Sequence, residues 1–154
     1  MGLSERGLNE LNLLASLHDI GKLAILDNVL MKPGVLSTEE WEMIKKHPEI
    51  GYRIAQSSNR TASIAEAILT HHERWDGAGY PLGLKGNGIP LLSRIFAIMD
   101  AYEVMTHDTA YRKAMSYEEA LCELRRCAGT WFDPKLVKMF TGIPNFTLNV
   151  NLVQ

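Results

Sequence analysis

LSRIFAIMDAYEVMT, residues 92–106, repeats apolar side chains at the spacing of one helix face. Ile95, Ile98, Tyr102 and Met105 follow one another at steps of three or four residues, which predicts an α-helix buried along that face. Asp100 interrupts the apolar run. Because a buried carboxylate is costly unless it is paired or binds a metal, Asp100 either faces solvent or serves as a ligand.

The same helical period recurs on both sides of this stretch. Ser4 is a candidate N-cap. Ser37-Thr38-Glu39-Glu40 and Ser116-Tyr117-Glu118-Glu119 read as capping boxes, which mark helix starts. Pro48 and Pro134 suit the first turn of a helix, where no backbone donor is needed. The sequence therefore predicts an all-α fold.

Composition limits the class of protein. The chain has 154 residues, 46% hydrophobic and 22% charged, which is enough for one domain with a core. A net charge of −2 gives no electrostatic footprint for duplex nucleic acid. No apolar run is long enough to insert in a membrane. We assign residues 1–141 to one helical domain and 142–154 to a C-terminal tail, whose alternating pattern predicts an extended conformation.

Only two cysteines occur, Cys122 and Cys127, and no secretory signal precedes the first helix. Five residues apart on a helix, they are too distant for an unstrained disulfide. We expect both to be reduced and the protein to be cytoplasmic.

One internal segment breaks the helical pattern. Residues 73–91 contain five glycines and two prolines and show no period. A loop of that length inside a small domain is more often functional than idle. Glu73 and Asp76 are expected to order this loop.

Histidines and carboxylates form a second pattern. His18-Asp19 and His71-His72 are adjacent pairs, which we place on two helices, and adjacent helical side chains diverge by about 100°. Such a pair suits two neighbouring ions better than one. Together with His47 and Asp100 they make a mixed imidazole and carboxylate set, which favours Fe, Mn, Zn, Co or Ni. Taken alone, any single histidine among them is more typical of a core or surface position than of a metal site.

The order of these residues resembles the HD-GYP family, a branch of the HD-superfamily metal phosphohydrolases that cleave cyclic di-GMP. The resemblance covers about residues 11–140. It rests on these segments: His18-Asp19-Ile20-Gly21-Lys22, His47-Pro48-Glu49-Ile50-Gly51, His71-His72-Glu73-Arg74-Trp75-Asp76-Gly77-Ala78-Gly79-Tyr80-Pro81, Ile89-Pro90-Leu91, Asp100, Tyr111-Arg112-Lys113-Ala114, and Phe132-Asp133-Pro134.

The resemblance implies an HD-type helical bundle with a buried metal centre. Its ligands would be His18, Asp19, His47, His71, His72 and Asp100, with Asp19 as the bridging carboxylate. The family holds two or three divalent ions, often iron or manganese. Two ions roughly 3.5–4 Å apart lower the pKa of a bridging water and clamp phosphate oxygens. The expected reaction is hydrolysis of cyclic di-GMP to pGpG or GMP in bacterial second-messenger signalling.

The resemblance also implies roles outside the ligand set. Lys22 would act beside Asp19 in catalysis and contact the substrate phosphate, which Arg112 would also bind. The signature loop comprises Gly77, Gly79, Tyr80 and Pro81, and would shape the pocket or dock a diguanylate cyclase domain. An N-terminal sensory or receiver domain is a further expected partner. His107 matches no ligand position and is expected at the surface.

Two departures from the family pattern favour an alternative. The family carries a further histidine ligand on an upstream helix, but no histidine occurs among the 17 residues before His18, so the domain is expected to be N-terminally short. Thr109-Ala110 stand where the family usually has Arg-Pro. Losing one charge-assisted phosphate contact costs about 1.5–3 kcal/mol. The alternative is a catalytically degenerate module that binds a cyclic dinucleotide or a partner protein.

Overall fold

The protein is all-α in a computed structural model that describes residues 3–108 and 113–143. Within those ranges the only β pairing is an isolated bridge between Ala128 and Phe132. The helices are α1 (Glu5–Leu17), α2 (Asp27–Leu30), α3 (Thr38–Ile44), α4 (His47–Gln56), α5 (Ala65–Thr70), α6 (Leu91–Thr106), α7 (Tyr117–Arg126) and α8 (Pro134–Phe140). Short 3₁₀ turns cover Ile20–Ala24, Ala62–Ile64 and Gly86–Gly88.

The predicted helix starts are confirmed. Ser37 and Ser116 each form a complete capping box, at the starts of α3 and α7. The Ser4 side chain accepts from the Gly7 amide and caps α1. Asp133, 4% exposed, accepts from the first two free amides of α8. These side chains satisfy amides that a helix leaves without an internal partner.

Two apolar clusters form the core, and α6 joins them. Leu14 and Ile68 belong to the first cluster, which packs α1 against α5. Leu121 and Leu124 belong to the second, which packs α7 against α6 and α8. On α6, Phe96 faces the first cluster and Ile98 the second. The predicted helix over residues 92–106 is thus the central element of the fold.

The prediction that both ligand pairs lie within helices is wrong. The last residue of α1 is Leu17, and α5 ends at Thr70, so each pair follows a helix C-terminus. After Asp19 the chain tightens into a 3₁₀ turn that packs closely on α4, where a Cβ on Gly21 would lie 1.9 Å from the His47 carbonyl oxygen.

The remaining expectations fall partly outside the described ranges. Residues 73–90 form an irregular loop apart from the short 3₁₀ turn, as predicted. The predicted extended tail, over residues 144–154, and Arg112 lie outside the described residues. Cys122 and Cys127 are free thiols. Across the described helices, none combines the length and apolar character needed to cross a bilayer.

Candidate metal centre

Four predicted ligands converge at one point between the helices. One ligand atom from each of Asp19, His47, His71 and His72 lies within 4.8 Å of the other three. Asp19 comes from the turn after α1, His47 begins α4, and the His71-His72 pair follows α5. His47 is 1% exposed and His71 5% exposed. Three distant parts of the sequence therefore meet in one largely buried cluster.

Backbone carbonyls orient three of the histidine rings. The Nδ1 of His18 donates to the Ala15 oxygen at 3.0 Å, that of His47 to the Ile44 oxygen at 2.7 Å, and that of His71 to the Ile68 oxygen at 2.6 Å. A carbonyl oxygen only accepts, so the proton sits on Nδ1 in each ring. Burial lowers the pKa of His47 and His71, and these neutral rings keep a lone pair on Nε2. A hydrogen bond from Nδ1 is the usual outer support of a metal-binding histidine.

The Nε2 atoms face each other as acceptors. His47 Nε2 lies 3.4 Å from His71 Nε2 and 3.3 Å from Asp19 Oδ1. Two lone pairs and a carboxylate oxygen at these distances repel one another unless a cation lies between them. Imidazole and carboxylate donors together match first-row divalent metals. The residues present therefore fit a divalent metal ion.

Burial and charge favour the ligand forms of these groups. Burial lowers the pKa of His71 to about 2 and that of His72 to about 4, so both rings are neutral. Burial acts to raise the pKa of the Asp19 carboxyl, but hydrogen bonds from His18 and Lys22 hold it well below its usual range. Neutral imidazole and ionised carboxylate are the forms that bind metal.

His18 and Asp100 stand at the edge of this cluster. His18 Nε2 lies 3.3 Å from Asp19 Oδ2. Burial acts against the charged form of His18, but the hydrogen bond and charge of Asp19 raise its pKa. Asp100 is half-buried on α6, and burial raises the pKa of its carboxyl while His18 opposes that rise. The structure brings His18 to Asp19, and does not bring Asp100 into the group of four.

Lys22 occupies the predicted position beside Asp19. Its Nζ lies 2.7 Å from Asp19 Oδ2, and its side chain is 40% exposed. One oxygen of Asp19 therefore meets His18 and Lys22, while the other meets His47. Lys22 stands where the cluster opens to solvent, a suitable place to contact an anion. His107 is exposed at the end of α6, as predicted.

The glycine-rich loop folds back on the His71-His72 pair. The Tyr80 amide donates to the His72 carbonyl oxygen at 3.3 Å, and the two side-chain rings stack with centroids 4.9 Å apart and planes at 25°. Gly79 permits this approach, because a Cβ there would lie 2.3 Å from the Arg74 nitrogen. Gly77 adopts a φ of +86°, which favours glycine. The loop thus forms one wall of the cluster.

Acidic side chains hold this loop, as predicted. Glu73 accepts from three backbone amides of the loop. Asp76 accepts from the Ala78 amide and pairs with Arg74. Lys45 was not predicted to lie near the loop, yet its Nζ lies 6.0 Å from the Tyr80 ring centre. Its position two residues before His47 was the available signal.

The connection between α7 and α8 supports the loop from its other side. The Trp75 amide donates to the Trp131 oxygen at 3.1 Å, and the Asp76 amide to the Thr130 oxygen at 2.9 Å. The Arg74 guanidinium lies 4.0 Å from the Trp131 ring centre, a cation–π contact. The loop is therefore fixed to both halves of the core.

Comparison with known proteins places this arrangement in a family. Residues 1–136 match the family described as HD domain. A cyclic di-GMP phosphodiesterase of Thermotoga maritima is 44% identical over 142 residues, which cover 91% of this chain and 39% of that protein. A cyclic di-GMP phosphodiesterase response regulator of Xanthomonas campestris is 43% identical over 139 residues, covering 89% of this chain and 37% of that protein.

A solved structure shares the fold. The crystal structure of a cyclic GMP-AMP-specific phosphodiesterase of Vibrio cholerae superposes with a TM-score of 0.67 at 28% identity, covering 88% of this chain and 38% of that one. The chain thus spans less than half the length of the relatives that it matches. The family match, these relatives and the order of the HD and GYP motifs agree. The chain belongs to the HD domain family, and within it to the HD-GYP branch.

Proposed function

We propose that this domain is a metal-dependent phosphodiesterase that hydrolyses cyclic di-GMP to pGpG or GMP. The observation that carries the proposal is the set of mutually facing acceptors on Asp19, His47 and His71, which a divalent cation would satisfy. The names of the relatives in Thermotoga and Xanthomonas support the choice of substrate.

The ligand set follows from the positions of the donors. Asp19, His47, His71 and His72 would hold the first ion, and the second oxygen of Asp19 would reach an ion shared with His18. Asp100 would complete the second site from α6. Bound divalent ions supply Lewis-acid polarisation of the phosphate and lower the pKa of a water. Iron or manganese suits this imidazole and carboxylate set.

The other residues would act on the substrate. Lys22 Nζ can leave Asp19 Oδ2 and donate to a phosphate oxygen, because both groups lie at the open side of the cluster. The positive charge would stabilise the additional negative charge of the transition state. Arg112 would supply a second, bidentate phosphate contact. The stacked ring of Tyr80 would limit the pocket on the loop side.

A second candidate is a module that binds a cyclic dinucleotide without hydrolysing it. Thr109, in the place where the family usually has arginine, favours this candidate because one phosphate contact is lost. Cyclic GMP-AMP is the alternative substrate, favoured by the name of the Vibrio cholerae structure.

Partners and location extend the same proposal. The name response regulator, carried by the Xanthomonas relative, supports an attached receiver or sensory domain. A diguanylate cyclase domain would dock at the signature loop. The free thiols support a cytoplasmic location. We place the domain boundary at residue 141, after α8.

The deciding experiment measures metal and product in the same sample. Protein purified without oxygen is loaded with Fe(II) or Mn(II), its bound metal is counted, and cyclic di-GMP and cyclic GMP-AMP are followed by chromatography. We expect about two ions and conversion of cyclic di-GMP to pGpG or GMP. Tight binding of the nucleotide with no product would refute hydrolysis and favour the module that only binds a cyclic dinucleotide. Faster conversion of cyclic GMP-AMP than of cyclic di-GMP would make cyclic GMP-AMP the preferred substrate.

A further inference from the structure

Glu73 is a buried acid that belongs to no metal site. It follows His72 directly, and it is 5% exposed. Its Oε1 accepts from the Leu82 amide at 2.7 Å and the Gly83 amide at 3.1 Å, and its Oε2 accepts from the Leu84 amide at 2.9 Å. A buried carboxylate persists only when its oxygens are satisfied, and three backbone donors meet that requirement here.

These bonds fix the part of the loop that carries Tyr80. Residues 82–84 have no helix or strand to satisfy their amides, so the Glu73 carboxylate takes that place. Tyr80 stands two residues before the first of them, and its own amide donates to the His72 carbonyl. The loop is therefore held at both sides of Tyr80, by one side chain and by one backbone oxygen.

His72 differs from the other histidines of the cluster. His18, His47 and His71 each donate from Nδ1 to a carbonyl oxygen, which fixes the ring. His72 has no ring-nitrogen hydrogen bond to any residue within 3–108 and 113–143. Its aromatic neighbours include the Tyr80 ring, stacked at 4.9 Å and 25°. The orientation of this ligand thus depends on contacts with other rings.

We propose that Glu73 is a positioning residue, which fixes the loop so that Tyr80 stacks on His72 and orients that ring for metal binding. The stack does for His72 what a carbonyl does for the other three histidines. The inference rests on the metal centre of the proposed function and not on the identity of the nucleotide. Outer residues that orient ligands typically contribute 10–100-fold in metal affinity.

The first test compares two glutamates, each close behind a ligand histidine. Glu73→Gln keeps the size of the side chain but turns one acceptor into a donor that faces an amide. Glu49→Gln is the matched control, since Glu49 follows His47 by two residues and is exposed. Mn(II) binding is measured by calorimetry without nucleotide. We expect affinity at least about tenfold weaker for Glu73→Gln and unchanged for Glu49→Gln.

A second set of variants separates positioning from general loss of structure. Tyr80→Leu removes the stacked ring and Tyr80→Phe keeps it, so we expect weak Mn(II) binding in the former and near-normal binding in the latter. In the Tyr80→Leu background, Glu73→Gln should then add less than about a twofold loss, because the two residues act through one contact.

Specific outcomes would overturn this inference. Normal Mn(II) affinity in a folded Glu73→Gln variant would do so, as would losses that multiply in the double variant. If Glu73→Gln does not fold by circular dichroism, equal affinities of Tyr80→Leu and Tyr80→Phe would still refute it. Failure of the wild-type protein to hydrolyse cyclic di-GMP would refute the proposed substrate and leave this inference standing, because the binding measurement uses metal alone.

Discussion

Asp19 is the residue on which the charged contacts of the cluster converge. One of its oxygens meets His47, and the other meets His18 and Lys22. A carboxylate used on both sides is suited to bridge two ions, whereas each imidazole offers one nitrogen. Removing it should therefore affect the whole centre and not a single ligand position.

Asp19→Ala should lose most of the bound metal while keeping its helical circular dichroism spectrum. The reason is that Asp19 lies outside any α-helix and provides the negative charge of the four-residue group. Metal content by elemental analysis is the measurement. The control is Asp27→Ala, because Asp27 is an exposed acid eight residues after Asp19, and this variant should retain metal. Unchanged metal content in Asp19→Ala would refute the ligand assignment.

Lys22→Ala should reduce turnover much more than metal content. The lost contact to phosphate corresponds to about 1.5–3 kcal/mol, or roughly 10–100-fold in kcat/KM. Kinetics with cyclic di-GMP and metal analysis of the same preparation give the two readouts. Lys46→Ala is the control, because Lys46 is an exposed lysine next to His47. Its turnover and metal content should both be near wild type. A variant that loses its metal along with its activity would contradict a phosphate role.

At the scale of single residues, the sequence predicted candidate site residues but not the contacts that orient them. The adjacent pairs His18-Asp19 and His71-His72 drew attention to these residues, and the family resemblance selected them as candidate ligands. The hydrogen bonds from the rings of His18 and His71 to backbone carbonyl oxygens were not predictable. They depend on α1 and α5 ending just before these residues. The approach of Lys45 to Tyr80 depends on a loop 35 residues away, which local patterns do not describe.

At the scale of elements, the 3₁₀ turn Ile20–Ala24 packs on helix α4 so closely that Gly21 leaves no room for a side chain. A Cβ on Gly21 would lie 1.9 Å from the His47 carbonyl oxygen and 2.7 Å from the Gly51 nitrogen. This contact holds Asp19 within reach of His47. The backbone approach, and not a side-chain contact, thus brings two candidate ligands together.

Gly21→Ala should destabilise the protein by about 1–3 kcal/mol, since the methyl group forces the turn away from α4. The same displacement should weaken metal binding, because it separates Asp19 from His47. Urea unfolding and Mn(II) titration measure the two effects. Gly88→Ala is the control, as its Cβ would meet nothing within 4 Å. Wild-type stability in Gly21→Ala would mean that the turn does not depend on this contact.

Helix starts were predictable and two helix ends were not, for a physical reason. A start is marked locally, as Ser37 and Ser116 show by capping their own helices. The ends of α1 and α5 carry no such local mark. Soon after α1 ends, Gly21 packs on the backbone of α4, a contact that exists only once the chain has folded.

In the whole molecule, the candidate ligands link elements that the apolar core also joins. Residues of α1, α5 and α6 pack in the first cluster, and the ligand group stands beside it, with the rings of His18 and Phe96 4.9 Å apart. The all-α class followed from periodicity alone. The meeting of residues 19, 47 and 71 followed only from the family resemblance, because no local pattern specifies contacts across such separations.

A metal bound by three separate segments must stabilise the fold, because the unfolded chain does not hold those segments together. At a metal concentration of about 100 times Kd the gain is about 2.7 kcal/mol. For a chain of this size, that corresponds to a rise in Tm of about 5–10 °C. Thermal unfolding followed by circular dichroism, in Mn(II) and in EDTA, tests this expectation.

The rise in Tm should increase with the logarithm of the Mn(II) concentration. Each tenfold increase in Mn(II) above Kd should add about 1.4 kcal/mol, so Tm should continue to climb after the site is full. Asp19→Ala should show no such climb, because its site lacks the carboxylate. A wild-type Tm that does not respond to Mn(II) would contradict stabilisation of the fold by this ion.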